Sequence, residues 1–70
     1  MHPQVICHSG DQYAQRPVAF DWLGQRLQVA QVIARWREPD GIRFRVLTTE
    51  DGLFDLYYAE HSDEWQVKPR

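Results

Sequence analysis

Three turn signals constrain this chain more than any other feature. Gly24-Gln25, Pro39-Asp40-Gly41 and Glu50-Asp51-Gly52 punctuate the stretch after Arg16. Between them, apolar residues recur at alternate positions. Val18, Phe20 and Trp22 share one parity and Ala19 and Asp21 the other, the period-two signature of a half-buried strand. Glycine first in Gly24-Gln25 suits a type II′ hairpin, which sets Trp22 opposite Leu27, Phe20 opposite Val29 and Val18 opposite Gln31. The other two signals fit three-residue loops that close on a left-handed glycine, where the absent Cβ avoids a clash. They set Trp36 opposite Phe44 and Ala34 opposite Val46, then Val46 opposite Leu56 and Phe44 opposite Tyr58. Turn chemistry alone thus gathers Trp36, Phe44 and Tyr58 in one row of one face. A last loop at residues 61–64 sets Tyr58 opposite Val67 and adds Trp65 to that face.

Residues 26–37 admit two readings. Leu27 and Val29 face inward in the first hairpin, whereas Val32, Ala34 and Trp36 must do so in the second. A bulge or bend near Ala30-Gln31 reconciles them within one long strand. The rival is a helix, because Val29, Val32, Ile33 and Trp36 also fall at i, i+3, i+4 and i+7. Phe44 and Val46 need a partner strand on that side, which favours the bent strand. The expected fold is therefore all-β. It is a five-stranded antiparallel meander (17–23, 26–37, 42–49, 53–60 and 65–69), forming a strongly bent sheet or a small, partly open SH3-like barrel. Residues 1–15 read as an irregular N-terminal arm or a short edge strand around Val5-Ile6-Cys7, and residues 16–70 as a single β domain.

Seventy residues make one domain with little surface to bury, so the core must be dense. Cys7 is the only cysteine, which excludes an internal disulfide and fits a reducing compartment. Three tryptophans, three tyrosines and three phenylalanines supply the bulk instead, and Trp22, Trp36 and Trp65 all fall on the inward parity. No apolar run approaches the roughly 20 residues of a membrane helix. The first ten residues lack the basic start and apolar stretch of a secretory signal. A cytoplasmic location is expected.

The net charge of −2 argues against gripping nucleic acid by bulk electrostatics. Four arginines nevertheless gather mid-chain. In the expected register Arg37 lies opposite Arg43 and Arg35 opposite Arg45, on the face away from the core, with Tyr57 beside Arg45. Like charges directly opposite destabilise a strand pair unless a partner compensates. Guanidinium forks beside a stacking tyrosine suit single-stranded nucleic acid, so Arg35, Arg37, Arg43, Arg45 and Tyr57 are the candidate binding residues. The plainer reading is a solvated sheet face, with Glu38, Asp55 and Glu60 in reach.

Other chemistry finds little support. His2, Cys7, His8 and His61 match no zinc spacing, and adjacent Cys7 and His8 point to opposite faces of a strand. No Cys, His or Ser lies in an activating elbow or helix-terminus context. Glu50-Asp51 and Asp63-Glu64 sit in turns, where acids are common. The glycines occur singly, so no phosphate-cradling loop is present. Neither a catalytic site, a metal nor a cofactor is expected.

The string Arg16-Pro17-x-x-Phe20-x-Trp22-x-Gly24, with Val29, Trp36-Arg37, Phe44-Arg45-Val46, Gly52, Leu56-Tyr57 and Trp65-x-Val67, resembles a small bacterial domain family. Similar domains close the C-terminus of ImuB-like relatives of translesion DNA polymerases. The resemblance spans residues 16–67. Members carry a longer, tryptophan-containing insertion where this chain has only residues 38–43. The family transfers no catalytic residue, and it implies a bacterial accessory module near DNA repair machinery. Together these readings give a non-catalytic protein-interaction module, with single-stranded nucleic-acid binding as the alternative. A homodimer through edge pairing is a third arrangement open to so small a chain.

Overall fold

A computed structural model describes residues 4–9 and 15–70 of the chain. These form six strands: β1 (Val5–Ser9), β2 (Gln15–Trp22), β3 (Gln25–Glu38), β4 (Gly41–Thr48), β5 (Leu53–Ala59) and β6 (Glu64–Pro69). Each pairs antiparallel with the next, in the order β1-β2-β3-β4-β5-β6. The sheet curls strongly into a half-barrel, so the fold is the all-β bent meander that the alternation implies. It has six strands rather than five, because Val5–Ser9 is a paired edge strand. Residues 26–37 belong to a strand, not a helix.

Curling brings distant strands together over the concave face. Phe20, Phe44, Val46, Phe54 and Leu56 are buried there, with Val5, Trp22, Leu27, Val29, Val32, Ile42, Trp65 and Val67 packed around them. The rings of Phe20 and Phe54 meet edge-on at 5.0 Å, and those of Trp22 and Phe54 at 5.6 Å. These contacts join β2 to β5 across the concavity, although the two strands are not neighbours in the sheet. Burying a phenylalanine contributes roughly 1.5–3 kcal/mol, so this cluster is the main source of stability in so short a chain.

The turns sit earlier than their sequence signals suggest. At the first hairpin the central residues are Leu23 and Gly24, with φ of 51° and 79°. Trp22 therefore pairs with Gln25 and Phe20 with Leu27. Positive φ at both central positions is the type I′ signature, whose twist suits a hairpin. The third loop runs through Thr49, Glu50 and Asp51, and Asp51 (φ 67°), not Gly52, takes the left-handed position. Thr48 closes it, its Oγ1 accepting from the Gly52 N–H at 2.9 Å. Phe44 thus pairs with Leu56 and Val46 with Phe54. In the last hairpin Tyr58 pairs with Trp65 and Leu56 with Val67. All three shifts preserve parity, so the expected inward residues stay inward except Val18, which falls at the β1–β2 bulge and outside the core cluster, while Ala19 of the other parity is buried.

The Pro39-Asp40 turn differs. Glu38 pairs with Gly41, leaving a two-residue loop, and Trp36 faces Arg43 instead of Phe44. An odd change of register carries every side chain to the other face. Gly41 is not left-handed. A Cβ there would run into the carbonyl oxygen of Tyr58 and lie 3.1 Å from the Tyr57 ring, so close approach of β5 explains the glycine. Further along β3 the register slips twice, between Val29 and Gln31 and between Val32 and Ala34. The first bulge is the parity change anticipated near Ala30-Gln31. The second, at Ile33, reverses it. Val32 faces Val46 in the concavity, but beyond Ile33 the inward-side residues are Arg35 and Arg37, and Ala34 and Trp36 turn outward.

Candidate functional site

The four arginines do not share a face, which corrects the single basic surface expected from the sequence. Arg43 and Arg45 lie on the convex side, opposite Trp36 and Ala34, whereas Arg35 and Arg37 pair with Phe44 and Ile42 on the concave side. No arginine faces another across the β3–β4 ladder. Tyr57 sits directly opposite Arg43.

Most of these guanidiniums have carboxylate partners within the chain. Arg43 donates to both Glu38 oxygens at 2.8 and 3.1 Å, while Trp36 Nε1 donates to the same carboxylate at 3.2 Å. Arg45 donates to both oxygens of Asp55 at 3.0 and 3.3 Å, and Arg70 approaches Asp55 at 3.6 Å. On the other side Arg37 spans Glu60 at 3.0 and 3.3 Å. Arg43 also lies over the Tyr57 ring at 4.9 Å and Arg45 over Trp36 at 5.4 Å, while Arg35 stands 5.9 Å above Phe44. The hydrogen bonds from Arg45 hold the buried Asp55 carboxyl below its ordinary range, and those from Arg43 do the same for Glu38. The convex side is therefore an interleaved network of cations, rings and acids whose charges are largely met locally.

A second place was not visible in the sequence. A cleft of about 880 Å³ opens between Gln4 and the β2–β3 turn on one side and β6 on the other. Asp21 through Arg26 form one wall and Glu64 through Val67 the other. Because four consecutive β6 residues line it, the cleft runs along the strand's open edge rather than over one face. The Arg70 N–H donates to the Leu53 carbonyl at 2.8 Å. The alternation of an antiparallel ladder then directs the backbone groups of Glu64, Gln66 and Lys68 to β5. Those of Trp65 and Val67 point away, into the gap. Trp22 and Trp65 are half-buried at its floor, Trp65 against Tyr58 at 5.1 Å and Phe44 at 5.9 Å. Asp21 and Arg26 pair at 2.7 Å on the rim.

Leu23 crowns that rim. It is 82% exposed and stands at φ 51°. An aliphatic side chain at this φ meets a steric penalty that glycine or asparagine largely avoids. The only sequence sign is an apolar residue in a two-residue turn, masked when the turn is placed one residue later.

The remaining candidates are dispersed. Cys7 is half-buried, and burial pushes its thiol up from its usual range. His61 is exposed in the last loop. His2 lies outside the described residues. Among the described residues no three His, Cys, Asp or Glu side chains gather as a metal site, and no helix is long and apolar enough to cross a membrane.

The fold and cleft define a small antiparallel half-barrel in which the edge strand β6 lies beside a groove of mixed polar and apolar lining. Comparison with known proteins finds no family model, no curated protein and no solved structure that matches the chain.

Proposed function

We propose that this chain is a non-catalytic protein-interaction module that receives an extended segment along β6, in the cleft beneath Leu23. Leu23 carries the reading. Exposed aliphatic bulk at a left-handed turn position loses both solvation and backbone energy, and no contact among the described residues recovers either loss. An incoming strand would pair with the backbone groups of Trp65 and Val67 that face away from β5 and set alternate side chains against Trp22 and Trp65. The resemblance to domains attached to polymerase relatives supports an accessory role beside bacterial DNA repair machinery. The test is selection of peptides from a displayed random library on the immobilised domain. Enriched sequences should show period-two apolar patterning and bind Leu23→Asp at least about tenfold more weakly. Failure of any sequence to enrich, or equal binding to both proteins, would refute the reading.

Single-stranded nucleic acid is the second reading, supported by the Arg43–Tyr57 and Arg45–Trp36 stacks on one face. The carboxylates on Arg37, Arg43 and Arg45 weigh against it, because a phosphate must displace or repel them. Fluorescence anisotropy with a single-stranded oligonucleotide decides. Binding that weakens steeply with salt supports this reading, and no binding at low salt removes it.

A further inference from the structure

We infer that the segment received along β6 is β6 of a second copy of this chain, an inference that rests on the interaction reading above. The strand Glu64–Pro69 is self-complementary when run antiparallel to itself with Gln66 on the two-fold axis. In that register Trp65 faces the partner copy's Val67, and Val67 its Trp65. These are the two residues whose N–H and C=O groups point into the gap, so the pairing forms four backbone hydrogen bonds and breaks none among the described residues. A shift of one residue would instead oppose groups already engaged by β5.

The charges agree with the same register. Glu64 falls opposite the partner copy's Lys68 on both sides of the axis, and opposite charges at directly facing positions stabilise a strand pair. Lys68 is exposed and makes no ion pair among the described residues. Pro69 lacks an N–H, and in this register it meets Asp63, whose φ of 55° already ends the strand. Proline therefore stops the ladder where it has nothing left to bond and does not obstruct its centre. The other open edge suits this less, because a bulge between Ile6 and Cys7 breaks the β1 ladder. Trp65 and Val67 of the arriving strand come to lie under Leu23 and Trp22 of the receiving copy. The two-fold makes that exchange mutual, as in isologous dimers.

Sedimentation equilibrium on the full chain tests this, run to roughly millimolar concentration because so short an edge pair predicts weak association. The expected result is a mass that doubles and goes no further. Lys68→Glu sets two pairs of carboxylates face to face and should weaken the dimer about tenfold. The double change Glu64→Lys with Lys68→Glu should restore it. Amide exchange at Trp65 and Val67 should slow as concentration rises, and circular dichroism confirms that each variant is folded. A mass that stays monomeric overturns the inference, as do growth into open-ended oligomers and a Lys68→Glu effect that the double change fails to reverse. Peptide selection, read at dilutions where the chain is a monomer, judges the interaction reading separately. Enriched peptides from a chain that never dimerises would assign the edge to a foreign strand.

Discussion

The convex face around Asp55 and the cleft beside Leu23 both set tryptophans among charged residues, yet they reach opposite states. On the convex face Glu38 and Asp55 each meet a guanidinium, and Arg43 and Arg45 each a ring, so Glu38, Arg43, Arg45, Asp55, Tyr57 and Trp36 satisfy one another. At the cleft a leucine stands in solvent, and among the described residues no strand pairs with the outer edge of β6. A basic cluster therefore signals little until its counter-charges are placed. An apolar residue in a costly backbone conformation signals more, because no contact among the described residues compensates it.

Both regions depend on the cluster between them, and its removal should have the largest effect. Phe20 is fully buried and touches the Phe54 ring, so Phe20→Ala should destabilise by about 3–5 kcal/mol. For a domain of this size that approaches the whole stability, and urea denaturation should show little folded protein left. Retention of a normal midpoint would mean that the concave core does not join the two regions.

On the convex side, Asp55→Ala leaves Arg45 and Arg70 without their carboxylate. Denaturant midpoints should report a loss of about 1–2 kcal/mol, limited because both arginines are partly solvated. The cleft should respond with the opposite sign. Leu23→Asn supplies a residue suited to the first position of a type I′ turn and should raise stability by up to about 1 kcal/mol while impairing partner binding. A stability loss on that change would show that Leu23 serves the fold and would cancel the contrast.

Acid should produce the smallest effect and confine it to the convex side. The folded-state pKa of Asp55 lies below its usual value of 3.8. Its contribution is therefore complete above about pH 4 and is lost as pH falls through the lower folded value. Stability curves for the native chain and Asp55→Asn should converge below pH 4 and run parallel above it. Equal separation at every pH would show that the carboxylate's charge is not what Arg45 requires.

The sequence by itself indicated five of the six strands, their antiparallel order and most of the core, and left open whether Val5–Ser9 is a strand and whether residues 26–37 are strand or helix. Period-two alternation and turn residues are local signals, and at three of the four hairpins the turn moved without changing parity. Phe20, Phe44, Val46, Leu56 and Trp65 therefore faced inward in either register. Tertiary structure decided which way β3 faced beyond Ile33. Val32 is held to the core by Val46, whereas Trp36 can turn outward because Glu38 accepts its N–H and Arg45 covers its ring. One residue fewer in the Pro39-Asp40 turn and one more bulge separated Arg35 and Arg37 from Arg43 and Arg45, and so dispersed the expected basic surface. The cleft likewise arises only when curling brings the β2–β3 turn opposite β6, across some forty residues of chain that no local pattern links.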